Sequence, residues 1–249
     1  MKNKGIRALL FLGIILLICS GCGENVPLNE IPMYAGKHSP ELQTIHDKFI
    51  KQTIKDTGSR EKAIEFGLNW AWGCYHDKDF KTAMKRFNQV WLLDNNNAEV
   101  YWGFGLLLKE KGQLNEALKM YNKAIELDPN MAEVYNNRGN IYKDRKQVEL
   151  ALSDFAKAIS LKPDFPFSYM NRGQLYFNMG QYDKALADLN KAIEIVPTDA
   201  QSYNDRGCIY FAIKDYNKAW EDVCKAETLG YNVHPEFLRT LKKVLGKEN

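Results

Sequence analysis

Gly105, Gly139, Gly173 and Gly207 stand 34 residues apart, and that interval governs most of the chain. Tyr101, Tyr135, Tyr169 and Tyr203 keep it. So do Ala117, Ala151, Ala185 and Ala219, and again Ala124, Ala158, Ala192 and Ala226. Pro129, Pro163 and Pro197 close the first three units. A fixed period of this length marks stacked repeats, each too small to bury its apolar face alone. The columns predict two antiparallel helices per unit. Gly in the first helix and Ala in the second permit close approach, and Tyr121, Phe155, Leu189 or Val223 fills the space beside the contact. A turn at Gly112, Lys146, Gly180 or Lys214 joins the helices, and the Pro, which cannot continue a helix, ends the unit.

Period and residue types resemble the tetratricopeptide repeat. The resemblance implies an all-α fold, a right-handed α-solenoid of helix-turn-helix repeats with a C-terminal capping helix. Four units fall at 98–131, 132–165, 166–199 and 200–233. A degenerate unit, 64–97, precedes them: Ala71, Ala83, Phe87 and Val90 keep phase, while Asn95 replaces the Pro. Its first helix is expected to start earlier, with Ser59 as N-cap. Residues 40–63 read as a packing helix and lead-in, opened by Ser39-Pro40-Glu41 and striped by Leu42, Ile45, Phe49 and Ile50. Residues 234–249 read as the cap, with Phe237, Leu238, Leu241, Val244 and Leu245 at helical spacing.

The first 21 residues have a different character. Lys2, Lys4 and Arg7 precede an apolar run from Ala8 to Cys19, a length that suits a signal-peptide core better than a membrane span. The competing reading is an uncleaved anchor helix. The run ends in Cys19-Ser20-Gly21-Cys22, which resembles the bacterial lipobox, although Cys19 stands where that motif usually has Leu. The resemblance implies cleavage after Gly21, lipidation of Cys22 and a lipid bilayer as one partner. Each buried CH₂ contributes about 0.8 kcal/mol, and two acyl chains make anchoring stable. Residues 22–39, with Pro27, Pro32 and Gly36, read as the lipidated Cys and a tether reaching about 55 Å at full extension. By resemblance to enteric lipoproteins, Gly23 after the Cys points to the cell envelope, at the outer membrane facing the periplasm where the cell has one.

Losing the three leader cations leaves 31 basic against 31 acidic groups. A neutral chain lacks the basic excess that nucleic acid requires. No HExxH pair, phosphate loop or nucleophile elbow occurs, so no catalytic residue, metal or cofactor is expected. Cys74 and His76 are the one support for a different class, a metal-binding or enzyme subunit, and a third ligand is missing. With Cys22 lipidated, Cys74, Cys208 and Cys224 make an odd count that gives no disulfide framework.

In tetratricopeptide arrays, the face of the first helix turned away from Gly and Tyr lines a concave groove. Here the resemblance places on it Glu65, Asn69, Trp72 and His76, then Glu99, Gly103, Leu106 and Glu110 with Trp102 at the border. Glu133, Asn137, Asn140 and Asp144 follow, then Phe167, Asn171, Gln174 and Asn178, then Gln201, Asp205, Cys208 and Ala212. Asn69, Asn137 and Asn171 share one position, with Asp205 there in the last unit and Gly103 a gap. A side-chain amide offers a donor and an acceptor to a peptide backbone; the competing reading is that exposed Asn needs no explanation. The expected function is a membrane-anchored scaffold that grips a protein or extended peptide segment, neutral or basic in character. Trp72, Trp102, Leu106 and Phe167 would supply apolar contact. The resemblance also permits an adaptor in envelope assembly, serving a secretin or pilus or recruiting cell-wall hydrolases.

Arg138, Arg172 and Arg206 occupy a position usually apolar in this repeat, and Asp154, Asp188 and Asp222 stand 16 residues later. The other two units have Trp70 with Arg86 and Phe104 with Met120 there. Arg and Asp occur together or not at all, which predicts an ion pair within each of the three units that carry them.

Overall fold

A computed structural model describes residues 40–247. The leader, Cys22, the tether and Ser39 lie outside the described residues. Among those described there are twelve helices and no strand. The chain falls into two compact units, Met1–Leu107 and Leu108–Asn249.

The first unit holds α1 (Pro40–Thr57), α2 (Arg60–His76), α3 (Phe80–Leu93) and the start of α4 (Ala98–Glu110). Ser59 caps α2 by accepting from the Lys62 amide at 3.2 Å. The α2 and α3 helices pair, and α1, whose Phe49 is buried, packs on both. Close approach is set by Gly67, where a Cβ would lie 2.6 Å from the Val90 side chain.

The second unit continues with α5 (Leu114–Leu127), α6 (Ala132–Asp144), α7 (Val148–Leu161), α8 (Pro166–Asn178) and α9 (Tyr182–Ile195). It ends with α10 (Ala200–Ala212), α11 (Tyr216–Thr228) and α12 (Pro235–Val244). The tightest pairs are α6 with α7, α8 with α9 and α10 with α11. The Ala columns are fully buried between them. Ile141, Leu175 and Ile209 are also buried, and Leu175 and Ile209 join the next repeat to Phe155 and Leu189 of the one before. Tyr169 of the Tyr column tethers a repeat junction: its Oη donates to the Pro163 carbonyl at 3.1 Å. Leu241 of α12 is fully buried, and Phe237 meets Phe211 edge to face at 5.3 Å. Val244 departs from the expected stripe. It is 46% exposed, because Leu241 and Leu245 already occupy the side facing the array.

Each helix pair is joined by a tight turn whose central residue lies in the left-handed region. Gly112 has φ 74° and Gly180 has φ 71°, but the same turns hold Lys78 at 61°, Lys146 at 59° and Lys214 at 65°. The next amide closes the turn, as in Gln147 N–H to the Tyr142 carbonyl at 2.9 Å. An L-residue there is strained by about 1–2 kcal/mol, partly offset by the greater chain entropy that Gly loses on folding. Lys146→Gly and Lys214→Gly are each expected to stabilise the protein by about 0.5–1 kcal/mol, and Gly180→Lys to do the reverse. The readout is the urea midpoint at unchanged slope.

Candidate functional site

In the second unit, α6, α8 and α10 lie side by side, since α8 touches both of the others. Their faces turned away from α7, α9 and α11 carry a polar network. Lys143 Nζ on α6 donates to Gln174 Oε1 on α8 at 2.8 Å. Burial, and then the neighbouring Lys109, depress the Lys143 ammonium below its ordinary value against the pull of Asp144 and Asp205. Glu133 accepts from Lys162 at 2.8 Å. Burial opposes its charge, but that hydrogen bond holds the carboxyl below the usual range. On α10, Asp205 Oδ1 accepts from Gln201 at 2.7 Å and from Asn204 at 3.4 Å. Burial still raises its carboxyl above the ordinary value. Phe167 is 54% exposed and leans on Phe165 at 5.4 Å.

Asn137 and Asn140 are partly exposed and make no hydrogen bond to another described side chain. Asn171 differs: its amide donates to Asn136 Oδ1 at 3.0 Å, and Ser168 Oγ reaches the same oxygen at 3.3 Å. The row of equivalent free amides is therefore shorter than its spacing implies. Asn136 went unread because it sits next to Asn137 and looks like another surface amide, yet it is buried. The available signal was Ser168 and Ser202, polar residues in a column that holds Val100 and Val134 earlier.

In the first unit, Asn69 is exposed, while Trp72, Glu99 and Trp102 are partly exposed. The Trp72 ring lies 4.6 Å from Trp102 and 5.0 Å from Phe87, and its Nε1–H donates to Glu99 Oε1. Two expectations need correction here. Leu106 is buried at 9% exposure, so it belongs to the core and offers no surface contact. Gly103 is buried as well, and a Cβ on it would come within 2.3 Å of the Phe87 ring. No side chain fits there, which explains the gap in the Asn positions.

The structure brings each Arg to the Asp sixteen residues on. Arg138, Arg172 and Arg206 Nη2 lie 2.7 Å from Asp154, Asp188 and Asp222, with Nε on the second oxygen in each case. Arg138 and Arg206 also donate to Asn122 and Asn190 at 2.7 Å; Ala156 fills that place for Arg172. Hydrogen bonding to Asp188 raises the Arg172 guanidinium above its ordinary value against the effect of burial. In the degenerate unit, Arg86 stacks 3.4 Å above the Trp70 ring, so a cation over an aromatic face replaces the ion pair.

Among the described residues, no three His, Cys, Asp or Glu side chains are grouped to hold a metal ion. Cys74 is partly buried and His76 exposed. Burial raises the Cys74 and Cys224 thiols and pushes Cys208 up to about 11. Thiols so raised are poor nucleophiles. Among the same residues, no helix is long and apolar enough to cross a membrane.

Family models described as tetratricopeptide repeat match residues 132–165, 166–199 and 189–221, and one described as TPR repeat matches 105–144. No curated protein matches the chain. Among solved structures, the chain is similar to PilF of Pseudomonas aeruginosa, with 18% identity over 76% of this chain and 86% of that one, TM-score 0.70. It is similar to YrrB, described as a TPR protein with an unusual peptide-binding site: 21% identity, 80% and 97% covered, TM-score 0.56. MamA gives 26% identity, 64% and 93% covered, TM-score 0.55.

Proposed function

Because the chain belongs to the tetratricopeptide repeat family, we propose that it is a non-catalytic, membrane-anchored scaffold that holds an extended segment of a partner protein. The segment lies along the faces of α6, α8 and α10. The observation that carries this reading is the pair of uncommitted amides, Asn137 and Asn140, beside the Lys143–Gln174 bridge. A primary amide pairs with both the N–H and the C=O of a peptide unit, so it grips a backbone with little regard to side chains. YrrB, of the same fold, is described as having a peptide-binding site, which supports a peptide as the ligand class. Glu133 is neutralised by Lys162, and Asp205 is left without a salt bridge among the described residues. That balance favours neutral or basic segments over acidic ones.

A peptide array at low and moderate salt tests the proposal. Asn137→Ala and Asn140→Ala are each expected to weaken retained neutral and basic peptides several-fold, at about 1 kcal/mol per lost hydrogen bond. Binding confined to acidic peptides, or indifferent to both substitutions, contradicts it.

The anchor rests on the basic start, the apolar run and Ser20-Gly21-Cys22. Its proposed place is the cell envelope, at the outer membrane where one exists. Metabolic labelling with a fatty-acid analogue is expected to mark the chain and to fail in Cys22→Ala; label retained in that variant rules the anchor out.

A further inference from the structure

We infer that the Trp72–Trp102–Glu99 cluster of the first unit is a seat for a cationic side chain, an arginine, of a partner protein. The inference rests on the scaffold reading and adds to it a named anchor chemistry.

Three observations lead there. First, Glu99 has no salt bridge among the described residues. Its one side-chain partner is neutral, the Trp72 indole N–H, which takes Oε1 and leaves Oε2 available. Second, the next repeat shows what this position does when it is neutralised internally. Glu133, 34 residues on, has Lys162 at 2.8 Å, whereas the residue 34 positions before Lys162 is Asp128, which cannot neutralise a carboxylate. Third, the carboxylate borders aromatic rings that remain partly exposed. Trp72 and Trp102 lie 4.6 Å apart at 51°, and Tyr75 meets Trp72 edge to face at 5.9 Å.

A carboxylate beside indole faces is complementary to a cation. The ring quadrupole attracts it, and the partly dry surroundings strengthen that attraction. Arginine suits the place better than lysine. Its guanidinium is planar, stacks on an indole and still presents N–H groups in plane to a carboxylate oxygen. The protein already uses this contact in the same unit, where Arg86 of α3 lies 3.4 Å above the Trp70 ring of α2. The seat rejects acidic side chains by like charge.

The test uses the full chain in detergent and a small probe, so that it stands apart from recognition of the peptide backbone. Intrinsic tryptophan fluorescence is followed during titration with Nα-acetyl-arginine methylamide and with its neutral isostere, Nα-acetyl-citrulline methylamide. The arginine compound is expected to give a saturable change and the citrulline compound to bind about tenfold more weakly. Glu99→Gln keeps an oxygen to accept the Trp72 N–H while removing the charge. It is expected to erase the difference between the two compounds, with an unchanged melting curve showing that the fold is intact. Trp102→Phe is expected to weaken binding several-fold. Equal binding of the two compounds, no saturable response, or full discrimination retained in Glu99→Gln overturns the inference. The scaffold reading is judged separately, by the effect of Asn137→Ala on peptide binding.

Discussion

Asp188→Ala is expected to destabilise the protein by about 3–5 kcal/mol, because it leaves the Arg172 guanidinium partly buried without its partner. That corresponds to a fall in melting temperature on the order of 10 °C. Asp188 is buried and accepts from Arg172 Nε and Nη2, at 2.8 and 2.7 Å. Arg172 also lacks the neighbouring Asn that accepts from Arg138 and Arg206, since Ala156 stands there. Its pair is therefore the most exclusive of the three. The loss falls in the middle of the second unit, where each repeat depends on its neighbours. Replacing both partners at once, Arg172→Met with Asp188→Leu, is expected to cost far less than Asp188→Ala, since no charge is left stranded. Thermal unfolding of the two variants checks this, and equal losses would show that the pair is not coupled.

Phe155→Ala carries the next largest expected effect, about 3–5 kcal/mol by chemical denaturation. The ring is fully buried, packs with Ala151 and Leu175, and closes over Gly139. The same contact predicts opposite outcomes for one substitution at equivalent places. A Cβ at Gly139 would lie 2.8 Å from Phe155 Cε1, so Gly139→Ala must move a packed ring and is expected to cost about 1–3 kcal/mol. At Gly173 the nearest atoms are 3.3–3.4 Å away, because Leu189 stands where Phe155 does. There the alanine is nearly accommodated, and its better helix propensity, about 1 kcal/mol, offsets the contact. Gly173→Ala is expected to be neutral or mildly stabilising.

The architecture was legible because a repeat writes its core several times. Four Ala at one interval cannot be surface coincidence, and they are fully buried. The Arg and Asp positions were legible because they change together: where Trp70 replaces the Arg, Arg86 replaces the Asp, and the two stack. The surface was harder to read. Position along a helix says which face a residue takes, but not whether a neighbour has claimed its hydrogen bonds. Asn137 and Asn171 occupy one position, yet Asn171 donates to Asn136 Oδ1, an oxygen that Ser168, a polar residue in a Val column, also reaches. Leu106 and Gly103 share the face assigned to the groove but lie buried, and Phe87 presses against Gly103. One bulky ring from the preceding helix redraws a face that spacing alone calls open.

The most direct test of the scaffold is position-dependent photo-cross-linking of the full chain in its native cell. A photoreactive residue is placed in turn at Asn140 and Gln174, on the first helices, and at Ala156 and Ala187, exposed on the second. The account predicts that positions 140 and 174 capture the same protein, cross-linked within one continuous segment, and that 156 and 187 do not. Equal capture from both sets, or capture from 156 and 187 alone, would contradict it.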